Sequence, residues 1–277
     1  MLHFHLIGIL LLLGTIFSGV SAGQPVHRPL KVAHRGGAGL APENTLAAFR
    51  KALELRVDAV ELDVHLSKDG AVVVMHDPEV SRTTDGSGEI GRLTLAELRT
   101  LNAAARFSEE TAPQRIPTLD EVLDLVKGKA EVQIEIKRRS DKSRYAGIEE
   151  KVLEAVRLRD MLEDVVIISF DFPTLQRIKV LEPQIRTCAL VSTHYFRRLG
   201  GHPDPALVVA DLQQHGFRCV GIKHTWLTAP LLKALHTQGF QVGVWTVNVP
   251  FLIREFAGLG VDFLTSDRPD LLNTLLP

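Results

Sequence analysis

The sequence is poor in cysteine, with 2 in 277 residues, and it has no excess of charge of either sign. Its 32 Lys and Arg residues and 33 Asp and Glu residues give a formal net charge of −1, which argues against a general nucleic-acid binder. No linker rich in Gly, Ser or Pro follows residue 30, so we expect a single domain over residues 23–277. Hydrophobic residues make up 45% of the chain, which excludes a disordered protein.

The N-terminus carries an apolar run at residues 4–17 that is followed by small residues. Residues 20–22 (VSA) fit the pattern before a cleavage site, so we predict a signal peptide at residues 1–22 and an exported protein, periplasmic or secreted. The start of this segment carries His3 and His5 but neither Lys nor Arg. An uncleaved N-terminal membrane anchor is therefore the alternative, and it would be the only contact with a membrane.

Strand-like and helix-like segments alternate from residue 30 onward, a pattern typical of a parallel sheet with helices on its faces. The length after the leader suits a barrel of about 250 residues. Strands are predicted at 30–33, 59–65, 131–137, 165–169, 185–191, 219–222, 241–246 and 263–265. Eight such strands with helices between them predict an α/β protein with a TIM-type (β/α)8 barrel and a small insertion after the second strand.

The two cysteines, Cys188 and Cys219, fall on separate predicted strands. Export would permit a disulfide between them, so pairing is one alternative. Because a barrel of this size does not need a cross-link, we expect two buried thiols that pack as small apolar residues.

Polar residues lie at or near the carboxyl ends of the early strands. His34 and Arg35 follow the first strand, and His76 follows a short extra strand at 71–75. Glu61 and Asp63 are two positions apart on the second strand, so they point to one face about 7 Å apart. Carboxylates at this spacing can share a hard cation, and imidazoles beside it can transfer protons near neutral pH.

The strand predicted at 131–137 adds two more polar residues, because alternation places Glu135 and Lys137 on one face. Polar side chains inside a barrel are costly without a partner, and a metal and phosphate site supplies one. Glu135 therefore joins Glu61 and Asp63 as a predicted metal ligand. A set of oxygen ligands without cysteine favours Mg²⁺ or Ca²⁺ over Zn²⁺.

Several motifs together resemble the signature of the glycerophosphodiester phosphodiesterase family: HRGG, PENT, ELDVHLSKDG and VVMHD within residues 34–77. The later segments IEIK, SFD, VWTVN and DFLTSDRPD match that family's other motifs in the same order, and the resemblance extends from Lys31 to the C-terminus. It implies a metal-dependent hydrolase that cleaves a glycerophosphodiester to glycerol 3-phosphate and an alcohol. It also implies the same three metal ligands.

The expected reaction needs groups that bind the phosphoryl oxygens, activate a nucleophile and protonate the leaving oxygen. We assign His34 and His76 as the general acid and base, without choosing between the two directions of proton transfer. Arg35 and Lys137 are predicted to bind the phosphoryl group together with the metal. The match to VWTVN implies that Trp245 forms an apolar wall for the glycerol or alcohol part.

Three further polar residues have structural alternatives. Asn44 is a plausible N-cap of the first helix, and Glu43 either binds the ligand or stabilises the first turn of that helix. Asp267 is expected to cap the final helix rather than to take part in catalysis.

The segment at 77–117 departs from the strand-helix repeat, and loops of this length in a compact domain are usually functional. We expect it to cover the pocket mouth and to shape the binding site for the alcohol side. Because it is mostly polar, water-soluble diesters are favoured over lipids. A lysophospholipase D or phospholipase C-like activity on a lipid phosphodiester is the alternative.

A non-enzymatic binding protein for glycerophosphates would be expected to lack one of the two histidines, and both are present. The predicted partner is therefore a small-molecule phosphodiester substrate, with no nucleic acid, and the sequence predicts no particular oligomeric state.

Overall fold

The computed structural model describes residues 28–107 and 111–276. The leader predicted at 1–22 lies outside the described residues. Within the described part of the chain, no helix has the length and apolar character needed to cross a membrane.

One sheet contains all the strands of the described residues, and eight of its strands run parallel. The sheet closes into a barrel because β1 pairs with both β2 and β9. The strands are β1 (Leu30–Ala33), β2 (Ala59–Leu66), β3 (Val72–Val74), β4 (Glu131–Ile136), β5 (Val165–Ser169), β6 (Arg186–Val191), β7 (Cys219–Lys223), β8 (Gln241–Trp245) and β9 (Phe263–Ser266). The predicted TIM-type barrel is thus confirmed.

Helices lie between the parallel strands, in the segment after β3 (α2) and after the last strand (α10). They are α1 (Leu46–Glu54), α2 (Leu95–Leu98), α3 (Leu119–Val126), α4 (Ile148–Arg157), α5 (Phe172–Leu181), α6 (Thr193–Arg198), α7 (Pro205–Gln214), α8 (Ala229–Thr237), α9 (Pro250–Leu259) and α10 (Pro269–Leu275). The predicted start of α3 is confirmed, because Thr118 and Glu121 form a reciprocal capping box.

The strands are buried on both faces, so that alternate side chains point to the surrounding helices or to the interior of the barrel. On β2, Val60, Leu62 and Val64 belong to the main apolar core, which includes residues of the surrounding helices. Glu61 and Asp63 alternate with them and therefore face the barrel interior. The fold thus presents the polar residues of β2 to the inside of the barrel.

The chain between β2 and α3 forms a small subdomain against the barrel. β3 pairs antiparallel with the end of β2, and two short 3₁₀ helices and α2 follow. Its apolar residues form a separate core cluster: Val73, Met75, Val80, Ile90, Leu98, Ala103 and Ile116. Because this segment has its own buried core, its 3₁₀ helix Val80–Arg82 is held at a defined place.

The expectation of two free thiols is wrong, because Cys188 and Cys219 form a disulfide. They lie on the neighbouring strands β6 and β7, in a register that pairs Ala189 with Val220. This register brings the two Cα atoms to 4.5 Å. Cys188 lies in the apolar cluster that includes Leu190 and Phe263.

Candidate active site

Three buried carboxylates meet near the carboxyl ends of adjacent strands. Glu61 and Asp63 come from β2 and Glu135 from β4, and Asp63 pairs with Glu135 in the strand register. One oxygen atom from each of the three lies within 4.8 Å of those of the other two. They are the only group of this kind among the described residues.

Two basic residues compensate part of this negative charge. Lys137 Nζ lies 2.8 Å from Glu135 Oε1 and 3.0 Å from Asp63 Oδ1. The Arg35 backbone N–H donates to Glu61 Oε2 at 2.9 Å, and its Nε lies 3.6 Å from Asp63 Oδ2. Two cations facing three carboxylates leave the cluster with a net negative charge if all five groups are ionised.

The excess of negative charge in the cluster affects the pKa values of its carboxyl groups. Burial and the charge of Asp63 raise the pKa of Glu61 to about 8, and burial likewise raises the pKa of Glu135. Burial opposes the ionisation of Asp63, but Lys137 and other cations outweigh it and lower the pKa of that carboxyl. Asp63 Oδ1 accepts no well-aligned hydrogen bond. This set of oxygen ligands fits a hard divalent cation.

His34 follows β1 and is held by a carboxylate from the far end of the chain. Its Nδ1 lies 2.6 Å from Asp267 Oδ1, and its Nε2 lies 3.9 Å from Glu61 Oε2. Because a carboxylate accepts hydrogen bonds, Nδ1 carries the hydrogen and Nε2 is the ring nitrogen available for proton exchange. Asn248 Nδ2 donates to the other oxygen of Asp267 at 2.6 Å.

The prediction that Asp267 caps the final helix is therefore wrong. Arg268 occupies the N-cap position of α10 and makes no side-chain cap hydrogen bond. Both carboxylate oxygens of Asp267 are instead used by His34 and Asn248. The prediction that Asn44 caps α1 is also wrong, because Thr45 occupies the N-cap position of that helix. Asn44 Nδ2 instead donates to Asp63 Oδ2 at 2.8 Å.

His76 is oriented in a similar way. Its Nδ1 lies 2.5 Å from Asp77 Oδ1, and its carbonyl oxygen lies 3.1 Å from His65 Nε2. Burial lowers the pKa of His65 to about 4, so that ring is neutral at pH 7. It donates from Nε2 to His76 and accepts at Nδ1 from Tyr145 Oη, 3.0 Å away.

The two histidines differ in their charge environment. Burial acts to lower the pKa of His34, but the hydrogen bond to Asp267 and the charge of Glu61 outweigh it, so the pKa is raised. Burial also lowers the pKa of His76, and here the nearby cations Lys137 and Arg35 add to that shift, so that it outweighs the opposite effects of Asp63 and Asp77. Both rings therefore lie beside charged groups that act on their protonation.

A cavity of 140 Å³ opens onto these groups. One side is polar, and the other side is apolar with Trp245 packed edge-on against Phe170 at 5.4 Å between ring centroids. The lining residues are His34, Arg35, Glu61, His76, Gln133, Glu135, Ile168, Phe170, Leu190, Trp245, Thr246, Phe263 and Thr265. The structure thus brings all eight predicted site residues together, because Lys137 binds both Glu135 and Asp63, and Asp63 lies in the carboxylate cluster with Glu61 and Glu135.

Two larger cavities, of 490 and 350 Å³, share Phe170 with this one and so adjoin it. Among the described residues of 77–117, only Asp77 and Pro78 line any of these three cavities, and both line the one of 350 Å³. The role predicted for this segment in shaping the alcohol side stays a prediction.

Sequence reasoning assigned no role to several residues that hold the predicted ones. Asp77 adjoins His76 in the sequence, and that adjacency is a signal that could have identified it. Asn248 is the last residue of the VWTVN motif, of which only Trp245 was assigned a role. Arg82 lies five residues after Asp77, but its other partner, Glu43, is 39 positions away and gives no local signal. Glu43, for which two roles were open, lies 2.9 Å from Arg35 Nη1 and also binds Arg82.

The family model for the glycerophosphoryl diester phosphodiesterase family matches residues 34–271. The chain is 34% identical over 254 residues to a glycerophosphodiester phosphodiesterase of Caldanaerobacter subterraneus subsp. tengcongensis, which covers 90% of this chain and 98% of that protein. It is 35% identical over 238 residues to a glycerophosphodiester phosphodiesterase of Bacillus altitudinis, covering 86% of this chain and 94% of that protein.

Solved structures of glycerophosphodiester phosphodiesterases also match this chain. A glycerophosphodiester phosphodiesterase from Agrobacterium tumefaciens matches with a TM-score of 0.74 and 30% identity, covering 89% of this chain and 99% of that chain. A phosphodiesterase from Oleispira antarctica, solved in complex with the product sn-glycerol-3-phosphate, matches with a TM-score of 0.76 and 29% identity, covering 90% of this chain and 96% of that chain. The predicted enzyme class, a phosphoric diester hydrolase, is thereby confirmed, and the chain belongs to the glycerophosphoryl diester phosphodiesterase family.

Proposed function

We propose that this protein hydrolyses glycerophosphodiesters to glycerol 3-phosphate and an alcohol, with a divalent cation and two histidines. One observation carries the proposal: two imidazoles, each held at Nδ1 by an aspartate, line the cavity that also contains the buried carboxylates. The product complex of the Oleispira antarctica phosphodiesterase supports the substrate class by similarity.

Glu61, Asp63 and Glu135 would hold the cation, and their oxygen ligands fit Mg²⁺ or Ca²⁺. When bound, such an ion supplies positive charge that stabilises the phosphoryl oxygens as charge develops on them. Arg35 and Lys137 add charge of the same sign, and their hydrogen bonds and ion pairs with the carboxylates fix their positions. These residues bind and orient the phosphoryl group.

The histidines perform the proton transfers. One imidazole accepts a proton at Nε2 from water or from a neighbouring glycerol hydroxyl, and the other donates a proton from Nε2 to the leaving oxygen. The aspartate at each Nδ1 keeps the hydrogen on that atom, so Nε2 remains the reactive nitrogen. Trp245 and Phe170 form the apolar wall for the carbon skeleton of the substrate.

The test is the release of glycerol 3-phosphate from a panel of glycerophosphodiesters by the purified chain lacking residues 1–22. We expect turnover that a chelator abolishes and that Mg²⁺ or Ca²⁺ restores. Variants His34→Ala and His76→Ala should each lose about 10²-fold or more in kcat. Turnover that persists in the chelator, or that survives both substitutions, would refute the mechanism.

The alternative substrate is a lipid phosphodiester such as lysophosphatidylcholine. The observation in its favour is the exposed ring of Phe170, which has 40% exposure and adjoins the catalytic cavity. Glycerophosphocholine and lysophosphatidylcholine share a head group, so the ratio of their kcat/KM values separates the two activities. We expect glycerophosphocholine to be the better substrate, in line with the polar segment at 77–117.

We also propose that the protein is exported with residues 1–22 as a signal peptide. The Cys188–Cys219 disulfide supports this location, because structural disulfides persist mainly in oxidising compartments. N-terminal sequencing of the mature protein is expected to begin at Gly23. A full-length chain in the membrane fraction would instead favour the N-terminal anchor.

A further inference from the structure

Arg82 binds two carboxylates that lie on different parts of the chain. Its Nη1 donates to Glu43 Oε2 at 2.9 Å and its Nη2 donates to Glu43 Oε1 at 2.6 Å, which is a bidentate pair. Its Nε donates to Asp77 Oδ2. The guanidinium thus uses all three of its nitrogen atoms on these two partners, and a planar fork of this kind fixes the geometry of what it binds.

Each of the two carboxylates also binds a residue of the proposed catalytic site. The second oxygen of Asp77 lies 2.5 Å from His76 Nδ1. Glu43 Oε1 accepts from Arg35 Nη1 at 2.9 Å. Arg82 therefore links a proposed proton-transfer residue to a proposed phosphoryl-binding residue through one carboxylate on each side.

Without Arg82, these carboxylates would have fewer constraints. The side chains of Asp77 and Glu43 have 29% and 18% exposure, so water can reach both and compete for their oxygens. Asp77 would keep one side-chain partner, His76, and Glu43 would keep Arg35. A carboxylate held by one hydrogen bond can rotate, and its imidazole or guanidinium partner can move with it.

The backbone that carries Arg82 is anchored independently of the site. Val80 is fully buried in the small apolar core of the segment after β3, and Thr84 Oγ1 donates to the Val80 carbonyl at 2.9 Å. Glu79 forms an isolated antiparallel bridge with Glu89. The segment therefore holds the backbone of Arg82 in a fixed position from which the guanidinium reaches both carboxylates.

We propose that Arg82 is a positioning residue that aligns His76 and Arg35 for phosphodiester hydrolysis. It does not line the catalytic cavity and acts through Asp77 and Glu43. The inference rests on the proposed function, and it gives the segment after β3 a role in catalysis, namely to hold Arg82 in place.

The test compares Arg82→Ala with a matched control, Arg157→Ala. Arg157 also binds a carboxylate, Glu182, through two nitrogens, and its side chain has 46% exposure against 47% for Arg82. Since misplacement of catalytic groups alone can cost up to about 10²-fold, we expect kcat to fall about tenfold in Arg82→Ala and to stay unchanged in the control. Millimolar guanidinium should restore part of the kcat of Arg82→Ala without changing its melting temperature.

Arg82→Lys provides a variant that retains the charge and is expected to fold if the alanine variant does not. Its single ammonium cannot reproduce the three-nitrogen geometry, so we expect an intermediate kcat. The proposal is overturned if the kcat of both Arg82 variants equals that of the wild type. It is also overturned if Arg157→Ala loses as much activity, or if guanidinium restores nothing in a folded Arg82→Ala.

A second measurement does not depend on turnover. The ¹⁵N chemical shifts of the His76 ring report its tautomer and hydrogen bonding, and they should change in Arg82→Ala but not in Arg157→Ala. Unchanged shifts contradict the proposed link through Asp77. If the wild-type protein hydrolyses no glycerophosphodiester while these shifts still respond, the proposed function fails and the positioning link stands.

Discussion

At the scale of single residues, the site pairs each of its two histidines with an aspartate. The pairs are His34 with Asp267 and His76 with Asp77, and both use Nδ1. Since a neutral imidazole can carry its proton on either Nδ1 or Nε2, a fixed acceptor at Nδ1 selects the tautomer that presents Nε2 as an acceptor. Asp267 thus holds the His34 ring, a contact that its position just before α10 does not predict.

Replacing Asp267 with Asn tests whether its carboxylate orients His34. An amide can donate as well as accept, so it can hold His34 in the other tautomer, and we expect kcat to fall about 10²-fold or more while the protein stays folded. Asp124→Asn is a suitable control, because Asp124 binds Arg159 on the surface, away from the site. Steady-state kinetics that give the same kcat for both variants would contradict a role for Asp267 in orienting His34.

The carboxylate cluster predicts a dependence of stability on pH. Because the pKa of Glu61 is raised from 4.5 to about 8, the folded state binds a proton that the unfolded state has lost between these pH values. In a chelator, the free energy of unfolding of the wild type should therefore decrease relative to Glu61→Gln as pH rises from about 5 to about 8. The relative loss should be on the order of a few kcal/mol.

Urea denaturation of the two proteins at both pH values measures this difference. Saturating Mg²⁺ or Ca²⁺ should reverse it, because an ion that binds only the folded wild type stabilises that state by mass action. A difference that does not vary with pH in the chelator would show that Glu61 is ionised in the folded protein without a cation.

At the scale of secondary-structure elements, the sequence predicted the structure correctly where residues close together in the chain determine it. Alternation along β2 predicted both the strand and the inward direction of Glu61 and Asp63, and Thr118 predicted the start of α3. The failures concern partners distant in the chain. Asp267 binds a residue 233 positions away, and Asn44 turns to Asp63 on the next strand instead of capping its own helix. Local propensity contains no information on such partners.

A close contact between two strands gives a prediction at this scale. A Cβ atom at Gly243 on β8 would lie 1.8 Å from the ring of Phe263 on β9, and Phe263 lines the catalytic cavity. Gly243→Ala should therefore destabilise the protein by about 1–3 kcal/mol and raise KM as the ring is displaced. Gly258→Ala in α9 is the control, because its Cβ meets no atom within 4 Å and alanine favours a helix. Thermal unfolding and KM values that do not distinguish the two variants would rule out the steric argument.

At the scale of the whole molecule, one covalent bond joins two of the eight barrel strands. The Cys188–Cys219 disulfide links β6 to β7 across a sequence separation of 31 residues, beside the apolar cluster of the barrel interior. Closing a loop of that length restricts the unfolded chain, so its loss should cost about 3–4 kcal/mol. Backbone hydrogen bonds pair the two strands independently of the disulfide, and the eight predicted site residues lie on other strands and loops, although Leu190 of β6 lines the cavity. We therefore expect Cys188→Ala/Cys219→Ala to unfold at lower urea concentration while keeping kcat at 25 °C. Equal midpoints for the variant and the oxidised wild type would mean that the eight-stranded barrel alone sets the stability.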